Sequence, residues 1–437
     1  MSSRLNFLSI SPRLDLRARC ETLCQEFHFS YLALQTAEEL KNIPFEQIQF
    51  ILTDSLGSLK EIRQKFKDAF IVALASESDS QANIASFKSA GANHVFRQSA
   101  LFKKSYLEYV ASQVIRAAFV PVKVSEFPVN AILEFSLYHL MPLNQKLLPV
   151  LPKGSALDES RLKKLEGIGE VFVRRDEIDR YRMYVESHPA NSAQGQKSKC
   201  RAQYLSLSNA HAQLVFLVCD SEESATDKEA KWLAERCDIL GRQLLMTLSA
   251  LSESWDVLNN SSVGEMGSVE RAPTIAAYAG LISFLASIGD PSEVMMAGLL
   301  NGVGMLELHP DISKKLRQSF DLTKLNPEEL REYQLHPSES IHVCEIKKIP
   351  LKDSVKNIIL NSHEKINGGG FPNHKKDRIP EEAMLLQFCE MVDREALVKM
   401  GQARQPVKDV RMKIMTELFK DGQTLSPDFL KKLNPVI

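Results

Sequence analysis

The segment Ser362-His-Glu-Lys-Ile-Asn-Gly-Gly-Gly-Phe-Pro372 interrupts a long helical pattern with three consecutive glycines and a proline, and sets His363 and Glu364 just ahead of them. A sharp turn before Pro372 needs backbone conformations that glycine permits, while proline fixes its own φ. On both sides of this turn, apolar residues recur at helical spacing. The spacing predicts helices at residues 275–288, 291–300, 326–335, 338–346, 353–362, 380–397, 405–419 and 427–433. Asn326-Pro327 and Ser426-Pro427 put proline directly after a capping side chain, a helix-start signal. Residues 270–437 therefore read as an all-α bundle holding one polar turn.

Toward the N-terminus the pattern changes. Residues 1–120 alternate short apolar runs, at 5–10, 31–34, 50–53, 70–74 and 94–96, with helix-like stretches at 16–27, 36–41, 59–66, 80–90 and 105–118. That alternation predicts a doubly wound α/β domain, whose usual site lies beyond the carboxyl ends of the strands. Residues 124–255 read as a small α+β module. Strand-like runs fall at 129–135, 170–174 and 180–185, followed by a polar loop or linker over 188–200. A long helix over 228–255 follows, with Trp232, Leu233, Leu240, Leu244, Leu245 and Leu248 at helical spacing, and it could connect the two ends or pair with a second copy of itself. The turn-rich stretch at 259–268 marks a boundary. The chain is thus expected to be multi-domain.

Composition limits the partners. With 54 basic and 55 acidic residues the net charge is -1, so no global field draws nucleic acid or anionic lipid. Seven cysteines with no CxxC pair argue against a disulfide framework or a zinc knuckle. No stretch has the apolar length of a membrane helix or a signal sequence, so a cytoplasmic protein is expected, with neither membrane nor nucleic acid as partner.

The 362–372 segment resembles the signature His-His-Glu-x-x-Asp-Gly-x-Gly-Tyr-Pro of the HD-GYP family of the HD superfamily. Three further blocks stand in the same order: Ala297-Gly-Leu-Leu-Asn-Gly-Val-Gly-Met305 at the His-Asp motif, Leu335-His-Pro-Ser-Glu-Ser340 at a histidine-bearing helix start, and Cys389-Glu-Met-Val-Asp-Arg-Glu395 at a late metal-binding helix. The resemblance implies a metal-dependent cyclic-di-GMP phosphodiesterase fold, in which His and carboxylate ligands from several helices hold metals that activate water. It also implies that the site is depleted. Asn301 and Gly302 stand for the His-Asp pair, Met305 for the lysine, Arg271 for an early histidine, Ser362 for the first His of the doublet, Asn367 for the Asp and Phe371 for the Tyr. What remains is His336, His363, Glu364, Gly368, Gly370 and Pro372, with Glu390 in place of the late aspartate. His336, His363 and Glu390 could form a vestigial three-ligand site for Fe or Mn. The structural alternative is a helix-start histidine and a polar helix end, and no cofactor is the favoured expectation. Lys365, Lys375, Lys376, Arg378, Arg394 and Arg404 are cations that could meet a phosphate or form a solvated basic face.

Residues 1–120 resemble a response-regulator receiver domain. Phe50-Ile-Leu-Thr-Asp54 looks like the strand ending in the phosphoacceptor, and Ala90-Gly-Ala-Asn-His-Val-Phe96 like the approach to the last strand. The acidic pair that would hold Mg²⁺ is replaced by Ser9-Ile10-Ser11, and the family's lysine by Gln98. Asp54 is left alone, which suggests a pseudo-receiver used for docking. These resemblances imply a cytoplasmic bacterial signalling protein, a homodimer with a catalytically depleted output domain. It would act through signalling partners or by sensing cyclic di-GMP, with an active phosphodiesterase on an altered metal centre as the alternative.

Overall fold

The computed structural model describes residues 5–42, 48–124, 127, 132–141, 146–168, 170–188, 193–221, 227–251, 253–261, 268–372, 379–396 and 405–437. Its N-terminal unit alternates strand and helix: β1 (Leu5–Ile10), α1 (Leu14–Phe27), β2 (Tyr31–Leu34), a 3-10 turn (Ala37–Asn42), β3 (Ile48–Thr53), α2 (Leu59–Lys65), β4 (Phe70–Ala75), α3 (Gln81–Ser89), β5 (His94–Arg97), α4 (Gln98–Lys103) and α5 (Tyr106–Ile115). All neighbouring strands are parallel, in the order β2-β1-β3-β4-β5. Strand side chains alternate across the sheet. Phe7, Phe50, Leu52, Val72 and Phe96 meet α1 and α5 on one face, and Leu8, Ile51, Ile71 and Val95 meet α2 and α3 on the other.

A second, antiparallel sheet follows, built from β6 (Phe119–Lys123), β7 (Leu137–Met141), β8 (Lys146–Leu151) and β9 (Glu170–Arg174) in the order β6-β9-β7-β8, with α6 (Glu159–Ile168) before β9. Two expectations for this region are corrected. Residues 180–185 are not a strand but part of α7 (Ile178–Ser187). Ile178, Tyr181, Tyr184 and Val185 fall on one helical face and are buried, whereas Met183, which an alternating strand would bury with Tyr181, is 61% exposed. The proposed linker over 188–200 is largely the first two turns of α8 (Ala193–Cys219), a 27-residue helix. Its small and polar residues disguised it, because Ala202, Ser206 and Ala210 are buried by close approach of neighbours rather than by bulk. Of the strand expected at 129–135, residues 129–131 lie outside the described residues, and Ile132 makes only an isolated bridge to Ala156.

The rest is helical: α9 (Asp227–Ser249), α10 (Ser254–Ser261), α11 (Ser268–Ala286), α12 (Pro291–Leu300), a 3-10 segment (Val303–Glu307), α13 (Pro310–Ser319), α14 (Pro327–Gln334), α15 (His336–Ile346), α16 (Asp353–Asn361), α17 (Glu381–Ala396), α18 (Val407–Asp421) and α19 (Pro427–Leu433). Asp290 caps α12 by accepting from the Ser292 amide, and Asn326 with Glu329 closes a capping box on α14, both with proline at the first helical position. The expected long helix at 228–255 ends earlier, at Ser249, and packs within the chain against α8, α11 and α12. No described helix is long and apolar enough to cross a membrane. The seven cysteines are free and buried.

The two halves meet directly. The Ser105 amide donates to Leu306 O at 2.9 Å, and Ser105 Oγ lies 2.6 Å from Ser313 Oγ. Lys104 Nζ lies 2.6 Å from Glu307, and the Tyr106 hydroxyl bonds the same carboxylate. Arg317 donates to Glu26 at 2.7 Å. Behind them, Asp220 accepts from the Val95 amide at 2.8 Å and from Lys88 at 2.5 Å, and its backbone carbonyl accepts from Lys347 at 2.5 Å. Burial alone would raise the Asp220 carboxyl, but His94 and Lys88 outweigh it and hold it far below the usual range.

Candidate functional site

The residues singled out in the sequence come together where the end of α12, the start of α15, the loop after α16 and the middle of α17 converge. Gly304, in the 3-10 segment, lets α15 approach: a Cβ there would sit 2.1 Å from His336 O. Ser340 ties the same crossing, donating to Asn301 O at 2.7 Å and accepting from the Gly304 amide at 2.7 Å. Gly370 does the equivalent for the signature loop, since its Cβ would fall 2.5 Å from His363 O.

The buried His336 donates Nδ1–H to Tyr333 O at 2.7 Å, which leaves Nε2 as an acceptor facing His363 Nε2 at 3.0 Å. His363 therefore donates from Nε2, and its Nδ1 faces Glu390 Oε2 at 3.8 Å. Burial pushes both imidazoles down to about 3; the neighbouring His363 adds to the effect on His336, and Arg394 to that on His363. Both are neutral at pH 7. Glu390 is shifted up by burial, against the pull of Arg394 and His336.

Asn301 occupies the centre of the cluster and is 1% exposed. Its amide nitrogen donates to Glu390 Oε1 at 2.6 Å, and its oxygen accepts from the Ser362 hydroxyl at 2.9 Å. Three positions at which the sequence resemblance implies metal ligands are thus bonded to one another. One turn further along α17, the buried Asp393 accepts from Arg271 Nε of α11 at 2.5 Å. Gly302 contributes no side chain.

This donor set does not fit a metal centre. Asn301 presents N–H to Glu390, the His336 Nε2 lone pair is taken by His363, and two guanidiniums, Arg271 and Arg394, supply the positive charge. No group of three or more His, Cys, Asp or Glu side chains among the described residues is arranged to hold a metal ion.

The signature loop divides. Phe371 stacks on His363, with centroids 4.8 Å apart and planes 18° apart, and meets Tyr333 edge-on. Glu364 is buried. Asn367, by contrast, turns away: its backbone N–H donates to Gln423 O at 3.1 Å, its side-chain Nδ2 to Gln423 Oε1 at 3.3 Å, and its Oδ1 accepts from the Gly369 backbone N–H at 2.8 Å. Gly368 holds the turn at φ 77°, and Pro372 is exposed. Of the cations, Arg394 lies over the Phe320 ring at 3.8 Å, whereas Lys375, Lys376, Arg378 and Arg404 lie outside the described residues. Sequence reasoning missed Tyr333, Ser340 and Asp393. Asp393 carried a signal, as an acid in an otherwise apolar helix face with Arg271 the matching cation in another.

Asp54 directly follows β3 at the carboxyl edge of the parallel sheet. Ser11 Oγ donates to its Oδ2 at 2.7 Å, while Oδ1 is buried and receives no hydrogen bond among the described residues. Arg13 sits close enough for Asp54 to favour its charge, after the stronger hydrogen bond to Asp15, and donates to Gln98 at 2.5 Å. Arginine and glutamine fill this mouth.

Residues 256–409 match the model of the HD domain family, so the helical region contains an HD-type domain. No curated protein matches the chain. Among solved structures, Bd1817, a HDG"Y"P protein from Bdellovibrio bacteriovorus, is 18% identical with a TM-score of 0.46 over 73% of this chain and 99% of its own. The HD domain of the L. monocytogenes phosphodiesterase PgpH, in complex with cyclic-di-AMP, is 13% identical with a TM-score of 0.29 over 40% of this chain and 90% of its own.

Proposed function

We propose that this chain is a regulatory signalling protein in which a pseudo-receiver is joined to an HD-GYP-like domain that binds rather than hydrolyses. One observation carries this reading: Asn301 bridges Ser362 and Glu390, so that side chains at ligand positions satisfy each other instead of a metal. Hydrolysis of a phosphodiester needs a metal-activated water and neutralisation of the phosphoryl oxygens. Neither His336 nor His363 is placed to act as a cationic acid near pH 7, because burial keeps both neutral. The output is then protein contact or the sensing of a cyclic dinucleotide. Asp54, with Ser11 beside it in place of acidic ligands, supports docking rather than phosphoryl transfer in the N-terminal unit.

The deciding experiment is metal analysis of the purified protein together with a cyclic-di-GMP hydrolysis assay in added Mn²⁺ or Fe²⁺. Substoichiometric metal and no turnover are expected. Stoichiometric metal with turnover overturns the reading in favour of a phosphodiesterase with an altered centre. Calorimetry with cyclic di-GMP separates dinucleotide sensing, which releases or absorbs heat on binding, from action by protein contact alone.

A further inference from the structure

Helix α9 buries Leu233, Leu240, Leu244 and Leu248 against the body of the chain, yet its outward side is not a plain solvated face. Trp232, Ile239 and Met246 are 54%, 55% and 74% exposed. They are spaced seven residues apart, so they share one line along the helix, with Trp232 and Met246 each about 10 Å from Ile239. Between them on the same line stand Glu235 and Arg242, both exposed. The Arg236 guanidinium covers one face of the Trp232 ring at 5.2 Å and is itself anchored to Asp179, which fixes the indole outward.

We propose that this line is a self-association surface: α9 of one protomer packs antiparallel on α9 of a second copy, with the two-fold axis passing beside Ile239. A two-fold contact requires the same patch to be complementary to itself. The equal spacing meets that condition. Ile239 packs on the partner's Ile239, and Trp232 at one end meets the partner's Met246 at the other, a sulfur–aromatic contact made twice. The charges select the direction. A parallel pair would set Glu235 on Glu235 and Arg242 on Arg242, whereas the antiparallel pair sets Glu235 beside the partner's Arg242 at both ends. Arg242 is already held by Asp238 at 2.6 Å, which keeps its guanidinium at the surface where the partner's Glu235 arrives. An apolar line centred on Ile239, with an exposed tryptophan at one end and charges between, has the composition of an interface anchor.

The test is the mass of the full chain by light scattering and sedimentation at micromolar concentrations. Wild type is expected at twice the chain mass, and I239R at the single chain mass with unchanged circular dichroism, because the site is exposed and the core is untouched. E235R and R242E should each be monomeric through like-charge contacts, and the double variant E235R/R242E should recover the dimer. A monomeric wild type overturns the proposal, as would be expected if a different protein's helix occupied the line. A dimer that survives I239R overturns it by placing the contact elsewhere. A double variant that stays monomeric overturns the antiparallel register.

Discussion

At the scale of single residues, the candidate site shows how buried polar and charged side chains satisfy one another. The Arg271–Asp393 pair has side chains 7% and 3% exposed. Removing one partner of such a pair strands the other charge in a poor solvent. Arg271→Met should therefore cost about 3–5 kcal/mol of stability, read from denaturant midpoints, while Arg271→Met combined with Asp393→Leu should recover most of it. The imidazoles make a prediction of their own. In the unfolded chain each takes up a proton near 6.5, whereas folded His336 and His363 resist until about 3. The unfolded state thus binds more protons throughout that interval. Stability should fall as pH drops below about 6.5 and level off near pH 3. The raised Glu390 carboxyl acts in the opposite sense above about 4.5, where it keeps a proton that the unfolded chain has released. Urea midpoints measured from pH 7 to pH 4.5 check this, and His336→Gln should flatten the slope.

At the scale of elements, most of the architecture was legible because the local signals were strong. All five parallel strands and α12, α14, α16 and α19 fall within a few residues of where alternation, helical spacing and proline caps put them. The signals failed where chemistry was ambiguous. Tyr181, Met183 and Val185 alternate like a strand, and only burial of Tyr184 in place of Met183 reveals the helix. The small residues of α8 concealed a buried helix among polar ones. In the candidate site the individual residues were readable, but their mutual bonding was not, because Asn301, Ser362 and Glu390 are brought together only by tertiary packing. That packing depends on the crossing of the 3-10 segment and α15. Gly304→Ala forces a methyl against His336 O and the Ser340 amide, backbone atoms that cannot step aside. A loss of about 1–3 kcal/mol is expected by chemical denaturation, with His336 and Asn301 displaced together.

At the scale of the whole molecule, α5 and its neighbours do not merely abut the helical body. Ser105, Lys104 and Tyr106 hold the Val303–Glu307 segment and its flank by backbone and side-chain bonds, and the core that fills the α1–α5 face of the sheet continues into the helices. The intact chain should accordingly unfold in one calorimetric transition. Ser105→Asp sets a carboxylate against the Leu306 and Leu308 carbonyls and should split that transition in two.

The same grip determines how information could cross the molecule. The held segment begins one residue after Gly302, so the N-terminal unit touches the neighbourhood of Asn301 without an intervening tether. Swinging one half against the other would tear the contacts at Ser105 and at Glu26, so a message arriving at the first sheet would cross as a small displacement of the turns they hold. The junction behaves as a pushrod, not a hinge.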